Sequence, residues 1–237
     1  MKIESSIALV TGANRGIGLA LAKALLARGA AKVYAAVRDP SSVTLPGVVP
    51  LQLDVTDPVQ IAAAARTARD VTLVINNAGI GSATPLLADD GAAQLRRELE
   101  TNVFGVLNVS RAFAPILGAN GGGALVNILS VVSWISSPIL ATYSVSKSAA
   151  WSVSNGLRNE LREQRTQVVG VHVGYVDTDL TAGLPGQKLA ASDVAATILA
   201  GVAAGQDEIV VDELSQQVKR GLVAEPSLYL QPPQPRG

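Results

Sequence analysis

Short runs of Val, Ile, Leu and Ala, almost without interruption, alternate along this chain with segments whose apolar residues repeat at helical spacing. Strands that are apolar on both faces are typical of a parallel sheet covered by helices on both sides. The pattern therefore predicts a doubly wound, Rossmann-type parallel α/β sheet of about seven strands. The predicted strands are residues 7–10, 32–37, 48–53, 71–75, 124–129, 168–173 and 209–211, and the predicted helices are residues 16–28, 61–68, 94–117, 142–165 and 192–204.

The chain has 237 residues and contains no internal repeat and no linker-like stretch. A length of this order suits one domain with a substantial core, so we expect residues 1–237 to form a single domain. Residues 180–190 contain two glycines and a proline and are expected to form a lid over a ligand. The Pro-rich end, residues 231–237, is expected to be a flexible tail.

Composition excludes several classes of function. The 19 Lys and Arg residues balance the 19 Asp and Glu residues, so no overall positive field favours binding to nucleic acid or to an anionic membrane. There is no Cys, and His172 is the one histidine, which argues against a disulfide framework, a cysteine nucleophile and a metal site. No apolar run is long enough to span a membrane and the first residues do not form a secretory signal, so we expect a cytoplasmic location.

Three glycines, Gly12, Gly16 and Gly18, lie in the turn that joins the first predicted strand to the first predicted helix. Glycines at such a turn let main-chain N–H groups approach a phosphate, and the helix N-terminus adds a favourable dipole. The spacing differs from the commonest dinucleotide fingerprint, and an ordinary strand-to-helix turn is the alternative. Its position after the first strand of an alternating α/β chain favours a dinucleotide site.

Arg38 follows the second predicted strand, where an NAD-binding site usually has an acid that holds the ribose hydroxyls. A guanidinium is instead a good partner for the 2′-phosphate of NADP(H), and Arg15 is placed to add a second positive charge. The sequence therefore favours NADP(H) over NAD(H). The alternatives are that Arg38 is a solvated charge or that Asp39 holds the ribose of NAD.

Tyr143 and Lys147 are four residues apart in a predicted helix, so their side chains share one face. A free tyrosine has a pKa of about 10, and a neighbouring cation lowers that pKa, which makes the pair a candidate acid and base. Ser130 ends one predicted strand, and Asn76 and Asn77 end another. Strand ends of this kind line the ligand crevice of an open α/β sheet.

Five motifs stand in order along the chain: Thr11-Gly12-x-x-x-Gly16-Ile17-Gly18, Asn76-Asn77-Ala78-Gly79, Asn102, Ser130 and Tyr143-x-x-x-Lys147. In order and spacing they closely resemble the classical short-chain dehydrogenase/reductases, over about residues 7–211. The resemblance implies an oxidoreductase that uses a nicotinamide cofactor and is similar to carbonyl reductases. One departure is Val173-Gly174 after the sixth strand, where the family usually has Pro-Gly. We expect cofactor binding to survive it.

The resemblance implies four catalytic residues. Tyr143 would donate and accept the proton, while Lys147 would lower the pKa of Tyr143 and hold the nicotinamide ribose. Ser130 would hydrogen-bond the carbonyl oxygen, and Asn102 would hold a water in a proton relay that leads from Lys147 to solvent.

The resemblance also implies a set of cofactor contacts, among them Asp54 and Val55 beside the adenine and Val176 and Thr178 at the carboxamide. The complete set is Gly12, Asn14, Arg15, Gly16, Ile17, Gly18, Arg38, Asp54, Val55, Asn77, Ala78, Gly79, Tyr143, Lys147, Val176 and Thr178.

The expected pocket walls carry no Arg or Lys placed to bind a carboxylate or phosphate, so an uncharged, fairly apolar ketone or aldehyde, or the matching alcohol, is favoured as substrate. The walls are residues 80–84, 131–135, 139, 175 and 180–189. Trp134 is expected either to stack on substrate or to pack under the lid, and His172 is interpreted as structural.

Two alternatives remain: a non-catalytic NADP(H)-binding redox sensor, and an NAD-dependent alcohol or steroid dehydrogenase. A homodimer or homotetramer is expected, formed through the two long predicted helices, residues 94–117 and 142–165. The role of residues 215–230 is left open.

Overall fold

The computed structural model describes residues 1–184 and 186–231 of the chain. Seven parallel strands form one sheet in the order β3-β2-β1-β4-β5-β6-β7. The strands are β1 (Ile7–Thr11), β2 (Lys32–Val37), β3 (Val49–Gln52), β4 (Leu73–Asn76), β5 (Gly123–Ile128), β6 (Thr166–His172) and β7 (Glu208–Val210). The helices are α1 (Gly16–Ala27), α2 (Pro58–Thr67), α3 (Gly91–Leu99), α4 (Val106–Ala119), α5 (Ala141–Glu160), α6 (Ala191–Ala203) and α7 (Glu213–Gly221).

The sheet has a core on each face, as its apolar strands predict. Ala8 and Val10 of β1 pack in one core with Leu21 of α1, whereas Leu9 between them packs on the other face with Phe113 of α4. All five side chains are fully buried. Because successive strand residues point to opposite faces, an all-apolar strand needs helices on both sides. The predicted fold class is confirmed.

The first strand lies between β2 and β4, so the chain leaves β1 toward one edge of the sheet and later returns to build the other half. Loops that follow neighbouring strands diverge at such a point and leave a crevice at the carboxyl ends of the strands. The turn after β1 and the segments after β4, β5 and β6 all face this crevice.

The long helix predicted at residues 94–117 is three pieces in the structure. It begins earlier, at Gly91, and a π-helical segment, Glu100–Gly105, joins α3 to α4. Gly105 lets this wider turn approach the loop after β3, since a Cβ there would lie 2.8 Å from Val55 Cγ2. Wide turns of this type occur often at functional sites, and this one contains Asn102.

The helix predicted at residues 142–165 ends five residues early, at Glu160. Arg165 adopts φ +61°, which a helix does not allow. The Gln164 amide donates to Ala114 O at 3.0 Å and to Thr166 Oγ1 at 2.7 Å, and so fixes the turn that leads into β6.

The last helix, α7, was not predicted. Asp212 caps it by accepting a hydrogen bond from Ser215 N at 2.9 Å, and the other carboxylate oxygen accepts one from Gly174 N at 2.7 Å. Asp212 thereby joins α7 to the segment after β6. Most of the predicted tail, residues 232–237, lies outside the described residues.

No helix in residues 1–184 and 186–231 is both long enough and apolar enough to cross a membrane.

Candidate active site

The turn after β1 leads into the N-terminus of α1, which has no side-chain cap. Gly12 and Gly16 adopt φ +68° and +53°, conformations that suit glycine. Arg15, the residue before α1, makes no side-chain cap, and the first turn of the helix carries no acid. The N-terminus of α1 therefore offers free N–H groups and a positive dipole end, which together fit an anionic group such as a pyrophosphate.

Gly18 packs behind this turn rather than on its surface. A Cβ there would lie 2.2 Å from Gly12 O and 2.6 Å from Asn77 Nδ2. Only a glycine lets α1 start so close to the preceding turn. Gly18, predicted as a cofactor contact, is therefore needed for the close packing of α1 behind the turn after β1.

Thr11 and Asn77 tie the turn after β1 to the turn after β4. Thr11 Oγ1 accepts hydrogen bonds from Asn77 N and Ala78 N, each at 2.9 Å. The Asn77 amide donates in return to Thr11 O at 2.9 Å and to Gly12 O at 3.3 Å. The predicted contact Asn77 therefore uses its amide to hold the glycine turn in place.

A cleft of about 710 Å³ runs along the carboxyl ends of the strands. It brings together most of the residues that the sequence predicts as functional. Those on its walls are Gly12, Asn14, Arg15, Gly16, Ile17, Arg38, Asp54, Val55, Asn77, Ala78, Gly79, Ser130, Tyr143, Lys147, Val176 and Thr178. Gly18 and Asn102 are both buried behind these walls.

Ser130, Tyr143 and Lys147 meet at one end of the cleft. Ser130 follows β5 in an extended conformation and begins a short 3-10 turn, Val131–Ser133, while Tyr143 and Lys147 lie one turn apart on α5. Ser130 and Tyr143 both line the cleft, and the Ser130 side chain acts to lower the pKa of Tyr143. Gly81 leaves room for the phenol ring, because a Cβ there would lie 2.8 Å from Tyr143 Cδ2.

The pKa values in this cluster are set mainly by burial. Burial raises the pKa of Tyr143, the negative charge of Glu98 raises it further, and the side chain of Ser130 opposes both. Burial lowers the pKa of Lys147 to about 8. Its ammonium donates to Ile128 O at 2.8 Å and lies 5.6 Å from the centre of the Tyr143 ring. The expected lowering of the Tyr143 pKa by Lys147 is not seen in this structure, where burial, Glu98 and Ser130 determine the shift.

Asn102 is buried and joins the loop after β4 to α5. Its Oδ1 accepts from Ile80 N at 2.9 Å, and its Nδ2 donates to Ile80 O at 2.8 Å and to Ser146 Oγ at 2.9 Å. Ser146 lies on α5 between Tyr143 and Lys147. Asn102 thus fixes the loop after β4 against the helix that carries the acid and base.

The two arginines predicted for the 2′-phosphate have different surroundings. Arg38 is exposed at the end of β2 and makes no hydrogen bond or ion pair within the described part of the chain, whereas Arg15 pairs with Asp179. Asp39 uses one carboxylate oxygen to accept from Ser41 N at 3.0 Å and from Ser41 Oγ at 2.7 Å. These bonds lower the pKa of Asp39.

The remaining predicted contacts lie on opposite sides of the cleft. Asp54 stands at the β3 side and accepts from Thr56 N at 2.9 Å. On the other side, Val176 is buried and Thr178 packs over the glycine turn, where a Cβ at Gly16 would lie 3.1 Å from Thr178 Cγ2.

The predicted lid, residues 180–190 with Pro185 outside the described residues, bonds mainly to other residues of the segment after β6, as Thr181 Oγ1 does to Thr178 O at 3.2 Å. Leu189 N donates to Tyr175 O, and Asp177 N donates to Leu189 O, both at 2.9 Å. Lys188 donates to Thr181 O at 2.6 Å.

Comparison with known proteins identifies the family. The family model described as short chain dehydrogenase matches residues 6–188. The chain belongs to the short-chain dehydrogenase family. Its members are oxidoreductases, and the resemblance expected from the sequence motifs is confirmed.

Several relatives of this short-chain dehydrogenase match over most of its length. A short chain dehydrogenase from Burkholderia cenocepacia, solved in complex with NADP, has a TM-score of 0.93 and 40% identity, covering 98% of this chain and 100% of that one. An uncharacterized oxidoreductase of Methylorubrum extorquens is 35% identical over 213 residues, 84% of this chain and 85% of the relative. The 3-oxoacyl-(acyl-carrier-protein) reductase of Escherichia coli is 32% identical over 215 residues, 87% of this chain and 85% of the relative.

Two aromatic residues of this short-chain dehydrogenase pack behind the cleft. Trp134 stacks on His172 with ring centres 3.7 Å apart, and Trp134 is not on the cleft wall. His172 is fully buried, its Nδ1 lies 3.2 Å from Ser130 O, and burial lowers its pKa to about 4. This arrangement supports the structural interpretation of His172, and it packs Trp134 against His172 and in a cluster with Val218 and Leu228 instead of on substrate or under the lid.

The sequence analysis missed Glu98. It lies on α3 and is fully buried, and its charge acts on Tyr143. The available signal was its position four residues before Asn102, which places both on one helix face.

Proposed function

We propose that this short-chain dehydrogenase is an NADP(H)-dependent carbonyl reductase that acts on an uncharged, fairly apolar ketone or aldehyde, or on the matching alcohol. The observation that carries the proposal is that Ser130, Tyr143 and Lys147 lie on the wall of the same cleft as the glycine turn. NADPH, when bound, supplies the hydride that reduces the carbonyl carbon.

The side chains supply the proton chemistry at the carbonyl oxygen. Negative charge grows on that oxygen as the carbonyl is reduced, and the hydroxyls of Ser130 and Tyr143 stabilise it by hydrogen bonding. Tyr143 then gives its proton to the oxygen, so that the carbonyl becomes a hydroxyl group. Its raised pKa keeps the phenol protonated at neutral pH, which suits this direction of the reaction.

The residues present fit a dinucleotide. The uncapped N-terminus of α1 would hold the pyrophosphate, and Asp54 and Val55 would lie beside the adenine. Lys147 would hold the nicotinamide ribose, and Val176 and Thr178 would hold the carboxamide. Asn102 would support a water in the proton relay from Lys147 to solvent.

The charges at the end of β2 support NADP(H) as the preferred cofactor. Arg38 is exposed on the cleft wall and has no partner among the described residues, so it is available for a 2′-phosphate. Asp39, the alternative ribose ligand of an NAD enzyme, already binds Ser41. The Burkholderia cenocepacia relative, which was solved with NADP, supports the same choice.

The charges on the cleft wall support an uncharged substrate. Besides Lys147, the charged residues there belong to the glycine turn, the ends of β2 and β3 and the segment after β6: Arg15, Arg38, Asp39, Asp54 and Asp179. The wall near Tyr143 is formed by Ile80 and Gly81, and Leu180 adds a further apolar side chain. The Escherichia coli relative is named as a reductase of an oxoacyl group, which agrees with carbonyl reduction.

The test is cofactor oxidation over a panel of uncharged ketones and aldehydes, with NADPH and NADH in parallel and with Tyr143→Phe as the control. We expect turnover with NADPH and its loss in Tyr143→Phe. NADPH binding without turnover on any carbonyl or alcohol would indicate a redox sensor. Faster turnover with NADH would indicate an NAD-dependent alcohol or steroid dehydrogenase.

Three further predictions accompany this function. We propose that residues 1–237 form one catalytic domain and that the protein acts in the cytoplasm. We also propose a homodimer or homotetramer, because Phe104 and Val145 expose apolar side chains on the long helices, 49% and 37% accessible. Light scattering of the purified protein tests the assembly.

A further inference from the structure

Glu98 is a buried carboxyl group that the proposed reaction does not use. It has no exposed surface and forms no ion pair within residues 1–184 and 186–231. A carboxyl group is rarely buried without a cation, because removal from water penalises its charged form. Because burial of Glu98 is unfavourable, we expect this carboxyl group to have a role in the neighbouring site.

The carboxylate is held by a directed chain of hydroxyl groups. Oε1 accepts from Ser82 Oγ at 2.9 Å and from Gln94 Nε2 at 3.2 Å, whereas Oε2 has no partner among the described residues. Ser82 has one proton and gives it to Glu98, so Thr84 must donate across the 2.9 Å contact between Thr84 Oγ1 and Ser82 Oγ. The chain therefore runs from Thr84 through Ser82 to Glu98.

The same chain fixes the loop that supports Tyr143. Thr84 O accepts from Thr142 N at 3.3 Å and from Thr142 Oγ1 at 3.4 Å, directly before Tyr143 on α5. Gly81, next to Ser82, lies against the Tyr143 ring. Glu98 thus anchors the loop of residues 80–84 on the side away from the cleft.

Two charged groups act near Tyr143: Glu98 from α3 and Lys147 from its own helix. Lys147 directs its ammonium to Ile128 O. The other oxygen of Glu98 accepts no hydrogen bond from any described residue. A negative charge in a low-dielectric environment opposes formation of a second one nearby.

We propose that Glu98 is a positioning residue of the reaction, which fixes residues 80–84 against the Tyr143 ring and holds a carboxylate behind that loop. This inference rests on the proposed function, in which Tyr143 is the proton donor. Glu98 would favour carbonyl reduction, which needs the phenol, over alcohol oxidation, which needs the phenolate.

The pH profile of alcohol oxidation separates charge from packing. The probe is the alcohol product of the best carbonyl in the panel, and kcat/KM is measured with NADP⁺ against pH. The rate rises as Tyr143 loses its proton. Glu98→Gln keeps the shape and an acceptor for Ser82 but removes the charge, so the midpoint should move to lower pH. On the rising limb the rate should increase roughly tenfold for each pH unit of that shift.

Two matched variants serve as controls. Glu98→Asp keeps the charge and should keep the midpoint near that of the wild-type protein. Ser82→Ala removes the loop anchor but not the charge, so kcat/KM should fall while the midpoint stays in place. An unmoved midpoint in Glu98→Gln, or an equal movement in Glu98→Asp, would overturn the proposal.

A spectroscopic readout does not depend on turnover. At one fixed alkaline pH with NADP⁺ present, phenolate absorbance is compared between each protein and its Tyr143→Phe partner, which cancels the other tyrosines. Glu98→Gln should show the larger Tyr143 signal even if no substrate has been found, and an equal signal would contradict the proposal. If Glu98→Gln does not fold, Glu98→Met removes the charge without leaving a buried polar atom and carries the same expectation.

Discussion

Thr11→Val tests whether one hydroxyl group holds the two halves of the cofactor site together. Thr11 Oγ1 accepts hydrogen bonds from Asn77 N and Ala78 N, each at 2.9 Å, and Thr11 itself is 1% exposed. Valine has nearly the same shape and is equally suited to a strand, so β1 should be retained. Its methyl group, however, cannot accept either bond.

The expected loss follows from the two donors. Each buried N–H left without an acceptor costs about 1–3 kcal/mol. Asn77 and Ala78 are only half-buried. We therefore take the lower part of that range for each and expect the free energy of unfolding to fall by about 2–3 kcal/mol. Weaker NADPH binding should accompany it, because Asn77 also holds Gly12.

The assay is urea unfolding followed by circular dichroism at one protein concentration. Thr11→Ser is the matched control, since it keeps the hydroxyl and loses one methyl group, for an expected loss of about 1 kcal/mol. If Thr11→Val unfolds within about 0.5 kcal/mol of the wild-type protein, or if Thr11→Ser loses as much as Thr11→Val, the hydroxyl does not have this role.

Three further predictions concern the same cleft. Gly18→Ala should lower the free energy of unfolding by about 3 kcal/mol in urea, because its Cβ would lie 2.2 Å from Gly12 O; a stability equal to wild type would show that the turn can move aside. Burial lowers the pKa of Lys147 from 10.5 in the unfolded state to about 8 in the folded state. Between pH 8 and pH 10.5 the unfolded protein therefore binds one proton more than the folded protein, and the free energy of unfolding should rise with pH over this range. Relative to Lys147→Met the rise should be about 3 kcal/mol, and parallel curves for the two proteins would contradict it. Arg38→Ala should weaken NADPH binding by about tenfold to a hundredfold and spare NADH, as measured by fluorescence titration; equal losses for both cofactors would argue against a 2′-phosphate contact.

The sheet could be predicted because its strands are runs of consecutive apolar residues. Residues such as Ala8, Leu9 and Val10 are buried on opposite faces, and no other arrangement of an all-apolar strand covers both. Helix ends were harder to predict, since Arg165 stops the helical pattern through its backbone conformation and through bonds that Gln164 makes to distant residues. The helix α7 is short, and its cap Asp212 depends on a contact with Gly174 that sequence spacing does not show.

Much of the candidate site could also be predicted, because Ser130 and Asn77 follow strand ends that meet at one edge and because Tyr143 and Lys147 are spaced one helical turn apart. Ser130, Tyr143 and Lys147 do share the cleft wall. What the sequence could not show is the direction of each polar bond: Asn102 binds Ile80, and Lys147 points to Ile128. Glu98 could not be predicted either, because its burial depends on how the loop of residues 80–84 folds over it.

The two sides of the cleft differ in how they are attached to the protein, and their opening rates should differ accordingly. Ser130 and Asn77 follow strands in the middle of the sheet, whose amides should exchange with solvent only when the whole domain unfolds. In residues 175–184 and 186–189 the bonds from Leu189 N to Tyr175 O and from Lys188 to Thr181 O stay within the segment, while Asp179 pairs with the exposed Arg15, so the amides of this segment should exchange through small local openings. We therefore expect a ligand to enter and leave past this segment while Ser130 and Asn77 stay fixed on the other side.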